Sequence, residues 1–236
     1  MASILTKLKN KYISMRGFTT DRKLLVIESD DWGSIRMPSQ GTFRNLQKQG
    51  DHPECDAFLR NDSLESIEDL SHLYEVLSCV ADKNGNPAVL TANLAMANPN
   101  FDKIDYENNQ YSYEPFYETY RRYYGSLDVL ETVKLGIQKR VFYPQLHCRE
   151  HMNVNRWMHA LKKKKSDALL AFENKMIGVN SSFSQNNRFG YMDAFNTDQT
   201  TIGELEKILC DAIKLFETFY KDFNTDFHKD LFKLLR

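Results

Sequence analysis

The sequence predicts an α/β fold built on a parallel sheet or barrel. Short apolar runs alternate with longer amphipathic stretches, and no linker divides the chain. Two of the short runs also lead directly into polar clusters, as strands of parallel α/β folds do at the rim that carries their active sites. The four runs are Leu24 to Glu28, Ala88 to Ala92, Val141 to Leu146 and Met176 to Asn180. Each is apolar, largely β-branched or aromatic, and too short for a helix, so each is read as a buried strand.

Helices fill the intervals. From Ser63 to Asp82, Leu64, Ile67, Leu70, Leu73, Leu77 and Val80 recur at three- and four-residue spacing. Asn61, Asp62 and Ser63 are its capping candidates, and Asn84-Gly85 stops it. Similar patterns run from about Glu114 to Lys139, Val154 to Phe172 and Thr201 to Tyr220. Residues 1–236 are read as a single domain, with 192–236 forming a helical C-terminal segment.

At 236 residues and 42% hydrophobic content the chain can bury one sizeable core. Its 31 Lys and Arg balance 32 Asp and Glu, so no net field steers it to nucleic acid or an anionic membrane. Lys162 to Lys165 is read as a solvated helix face. Cys55, Cys79, Cys148 and Cys210 are widely spaced and form no CxxC pair, which argues against a disulfide framework or thiolate zinc site and for a reducing compartment. Met1 to Lys11 alternates apolar and basic residues without a secretory core, and reads as a leading amphipathic helix. With no membrane-spanning run, a cytoplasmic, soluble protein is expected.

The first strand runs into Asp30-Asp31-Trp32-Gly33, and the third into His147-Cys148-Arg149-Glu150-His151. Histidines four apart share a face if a helix starts there, and an aspartate from another strand end supplies a third ligand. Three protein ligands leave a position for water, the arrangement of a catalytic divalent-metal site. Asp31, His147 and His151 are therefore the expected ligands, and Asp30 the expected general base. Without the histidines, Asp30-Asp31 would read as a cap or turn ahead of Gly33.

Val-Ile-Glu-Ser-Asp30-Asp31-Trp-Gly-Ser, together with Pro-Gln-Leu-His147-Cys-Arg-Glu-His151, resembles the first two motifs of the polysaccharide deacetylase (NodB-homology, carbohydrate esterase family 4) proteins. The resemblance covers about Leu24 to Tyr191. It implies a deformed (β/α) barrel that removes acetyl groups from N- or O-acetylated sugars, with Asp30 as base and Asp31, His147 and His151 on the ion. Zinc would be the usual metal; cobalt, nickel and manganese suit the same donors. The family's later motifs, which include a base-orienting arginine, a pocket tryptophan and a general-acid histidine, have no match after His151. Trp157, Arg188 and His228 stand in the wrong setting. A barrel incomplete at the C-terminus is thus expected, as a shortened member or truncated frame, its open edge a place for a second copy to cover.

Other readings compete. His147 to His151 also fits the H-x-x-E-H pattern of zinc peptidases, with Glu150 as base, which requires the motif within a helix. Pro144 favours a strand-to-loop passage instead. A non-catalytic relative that binds metal or glycan is the alternative from another class. Glu28 and Arg149 are candidates to brace the ligands, with an ion pair the competing reading for Arg149. Trp32, Asn93 and Glu150 join them as candidate ligand-bracing or substrate contacts. Asn98 and Asn100 either bond substrate hydroxyls or form the turn around Pro99. Cys148 is read as a packing residue. Phe116, Tyr120 and Tyr124, within a tyrosine-rich stretch, are read as core at helical spacing.

Overall fold

A computed structural model describes residues 23–179, 191–197 and 200–221, with a few isolated positions before them. The chain forms β1 (Ile27–Trp32), α1 (Gln40–Lys48), α2 (Ala57–Asn61), α3 (Ile67–Ser78), β2 (Leu90–Ala95), β3 (Ala97–Pro99) and β4 (Tyr113–Pro115). It continues through α4 (Phe116–Tyr124), α5 (Asp128–Gln138), β5 (Phe142–Cys148), α6 (Val154–Lys162), α7 (Ser166–Glu173) and α8 (Ile202–Lys221). Strands β1, β2 and β5 form one parallel sheet in that order, while β3 and β4 pair antiparallel beside it.

The α/β class and the parallel sheet are as expected, but the sheet has three strands among the described residues and no barrel closes. Residues 176–179 lie outside any strand, because Met176, Ile177 and Val179 are buried as an irregular segment. Asn180, Arg188, His228 and nearly all of the leading segment lie outside the described residues. The first strand starts later than expected: Leu24, Leu25 and Val26 are exposed, and β1 itself contains Asp30 and Asp31.

Register separates the two faces of the sheet. Leu90 pairs with Phe142, Ala92 with Pro144 and Leu94 with Leu146, placing these apolar side chains on one face. α3, α5 and α8 cover that face through Leu70, Tyr74, Val133, Ile137, Phe216 and Phe219. The opposite face carries Glu28, Thr91, Asn93, Tyr143, Gln145 and His147 and is largely polar. Among the described residues β5 is an edge strand, which tolerates Pro144, and the Pro144 carbonyl accepts the Tyr220 hydroxyl of α8 at 2.6 Å.

Two long helices expected from periodicity are each broken. α4 ends at Gly125, whose φ of 73° is left-handed, before α5 begins. α6 ends before Lys164, φ 53°, and the exposed lysine run around it is the turn into α7. Ser66, rather than Asn61 to Ser63, caps α3, through a reciprocal box with Asp69. Among the described residues no helix is long and apolar enough to cross a membrane.

Candidate metal centre

In a regular strand Asp30 and Asp31 would point to opposite faces. β1 avoids this with an irregularity between Ser29 and Trp32, where the register against β2 shifts. Asp31 takes the left-handed region, φ 67°, and its carboxylate turns toward the end of β5. Its Oδ1 lies 3.4 Å from His147 Nε2 and 3.6 Å from His151 Nε2. Ligand atoms of the three residues all fall within 4.8 Å of one another. Tetrahedral zinc with bonds of about 2.0–2.1 Å would set its donors about 3.3–3.4 Å apart, so these separations fit one ion.

Protonation fits too. Among the described residues, Asp31 Oδ1 and His147 Nε2 are buried atoms without a hydrogen-bond partner, a costly state unless something else binds them. Burial holds the His151 imidazole below the usual histidine range, with nearby Asp31 opposing. The neutral ring that results is the form a metal ion takes.

The histidines reach this geometry without a helix. His147 is the penultimate residue of β5, and His151 follows in a bend, their rings stacked 13° from parallel at 5.1 Å. Met96 N–H donates to the Cys148 carbonyl at 3.0 Å and Ala97 N–H to that of Arg149 at 2.7 Å, holding the chain beside β3 as it turns. Asn153 then fixes the far side: it caps α6, donates from its backbone to the Tyr191 carbonyl, and accepts the Thr200 hydroxyl.

Asp30 stands on the polar face. Asn93, buried on the central strand, donates from Nδ2 to Asp30 Oδ1 at 2.6 Å and to Glu28 Oε1 at 2.8 Å. Glu28 and Asn93 therefore brace the expected base. Trp32, partly buried, packs edge-on against Phe142 of the core, ring centroids 5.1 Å apart.

Arg149 and Glu150 turn away from the ligands. Arg149 Nε donates to both Glu150 oxygens at 2.9 and 2.8 Å, Nη1 donates to Asp211 of α8 at 3.2 Å, and the guanidinium lies over Tyr113. Glu150 also accepts the Tyr111 hydroxyl at 2.9 Å. Arg149 is thus an ion-pair residue tying α8 to the strand end. Glu150 is so engaged, and the motif lies on a strand and bend rather than within the helix that the peptidase reading requires. Cys148 is buried, as read, and burial pushes its thiol far up.

Arg36 and Glu65 are positioning residues that carried no signal in the sequence, and Asn98 takes a role other than the two read there. Arg36, buried, donates from Nη2 to Asp31 Oδ2. Asn98 donates to the Gly33 carbonyl at 2.8 Å and accepts Ile35 N–H at 3.2 Å, so it fastens the loop after β1 rather than meeting substrate. Glu65 accepts Gly33 N–H at 3.0 Å and the Tyr120 hydroxyl. Gly33 has φ 78°, and a Cβ there would lie 3.1 Å from the Ala95 carbonyl and from Phe116 Cβ. A cavity of about 770 Å³ lined by Asn109, Asn155, His159, Lys162, Lys163 and Glu204 contains none of the ligands. Compared with family models, curated proteins and solved structures, the chain finds no match.

Proposed function

We propose that this protein is a metal-dependent hydrolase that removes acetyl groups from N- or O-acetylated carbohydrate. The observation that carries the reading is the convergence of Asp31 Oδ1, His147 Nε2 and His151 Nε2 from two strand ends, two of these atoms lacking any hydrogen bond among the described residues. The deformed barrel belongs to the same proposal, since parallel strands that neighbour one another in chain order make up a slice of one. A divalent ion, zinc first and cobalt, nickel or manganese after it, would supply there an acidified water and a Lewis acid for the acetyl carbonyl. Asp30, on the same face as His147 and anchored by Asn93, accepts the proton of the attacking water. Thr91, Tyr143 and Gln145 extend that face with groups that bond sugar hydroxyls.

One observation favours the non-catalytic alternative. Among described residues after Tyr191, Asp193 receives Asn196, Glu204 receives Thr201 and Asp211 receives Arg149, and neither these nor Glu206 and Glu217 join the cluster of Asp31, His147 and His151. Elemental analysis of wild type, H147A and D31A, followed by acetate release from N-acetylglucosamine oligomers, separates the readings. The expected result is about one metal per chain, lost in both variants, with D30N keeping the metal and losing on the order of 10²–10⁴-fold in rate. Metal without acetate release in wild type would favour the binding protein. No metal in folded wild type supplied with zinc would overturn both.

A further inference from the structure

We propose that Arg36 is a positioning residue that forces Asp31 to offer a metal ion one oxygen only, and that α2 sets where its guanidinium stands; this rests on the metal-centre reading above. The two carboxylate oxygens of Asp31 face different partners. Arg36 Nη2 holds Oδ2, while both histidine Nε2 atoms approach Oδ1, at 3.4 and 3.6 Å. Asp31 needs such a hold, because its left-handed backbone at the strand irregularity frees its side chain from the direction a regular strand would impose.

Arg36 is itself fixed from α2. It is 6% exposed, and its Cζ lies 4.8 Å from the ring centroid of Phe58 on that helix. Asp62, which caps the end of α2, faces the guanidinium electrostatically from that helix. Since a guanidinium is planar, always charged and weakly hydrated, it suits this enclosed place better than an ammonium. With Oδ2 occupied, the carboxylate cannot chelate. An ion held by Asp31, His147 and His151 would then keep a position for water, which is what separates a catalytic site from a closed structural one.

Cobalt(II) titration of the full chain, followed by its visible absorption, tests this directly. Wild type is expected to bind one cobalt with the intense bands of a four- or five-coordinate site. R36M should bind about 10- to 100-fold more weakly, with weakened bands as Asp31 chelates and coordination rises. R36K, which restores charge and one donor, should recover part of the affinity, and F58L should shift it in the same direction as R36M by less. These last two variants keep the test open if R36M fails to fold. Unchanged affinity and spectrum in folded R36M, or in R36K and F58L together, would overturn the role of Arg36. Failure of wild type to bind cobalt would instead remove the metal-centre reading beneath it.

Discussion

At the scale of single residues, the centre depends on conformations and charges that ordinary strands and surfaces avoid. Gly33 follows the ligand strand at φ 78° with backbone and Phe116 pressed against the space of its missing side chain. G33A should destabilise the fold by about 1–3 kcal/mol in urea unfolding and weaken metal binding in parallel, since the same loop holds Asp31. Asp62 provides a pH test beside Arg36. Burial raises its carboxyl from 3.8 to about 6, outweighing the pull of Arg36. A folded value above the unfolded one means the native state holds this proton more tightly. Its contribution is full below about pH 4 and is lost as pH rises through 6. D62N should therefore gain stability over wild type at pH 7.5, by at most about 3 kcal/mol, and gain nothing at pH 4. Unfolding curves at the two pH values check the sign.

At the scale of elements, close packing and breaks in helices decide what reaches the sheet. α5 crosses α3 where Gly136 meets Tyr74, and a Cβ at Gly136 would run into that ring. G136A is expected to cost about 1–3 kcal/mol by overpacking, measured by thermal unfolding, without changing metal stoichiometry. Periodicity from Glu114 to Lys139 holds across both α4 and α5, and so reads as one helix. The left-handed turn at Gly125 breaks it, letting Phe116 and Tyr120 bury fully while Tyr124 stays partly exposed and donates to the Leu64 carbonyl at 2.8 Å. The core reading of this aromatic stretch thus holds for two of its three residues. β3 and β4 had no sequence signal because three-residue strands are shorter than any pattern of alternation.

At the scale of the molecule, β2 is the keel. It pairs with both ligand-bearing strands, so Asp31 and His147, far apart in sequence, meet at one end of the sheet. α8 closes the apolar face and reaches β5 through Tyr220. Loss of that buried hydroxyl in Y220F should cost about 1 kcal/mol or somewhat more, because the Pro144 carbonyl loses its donor. An ion that binds only the folded state stabilises it by mass action, about 2.7 kcal/mol at a hundred times its Kd. Zinc should accordingly raise the unfolding temperature of wild type and leave that of H147A unchanged.

The sequence by itself determined the α/β class, three of the strands, the main helical regions and the three residues that converge. All of these are written locally: apolar runs, three- and four-residue spacing, and polar clusters at the ends of strands. Only the tertiary structure decided that a strand irregularity turns Asp31 beside the histidines, that a strand and bend rather than a helix presents His147 and His151, and that Arg149 with Glu150 belongs to the packing of α8. It also brought in Arg36 and Glu65, set Asn98 to fastening the loop after β1, and left the sheet at three strands among the described residues. Buried polar groups take whichever partner the fold carries to them, and that choice depends on contacts between segments distant in sequence, which no local pattern encodes.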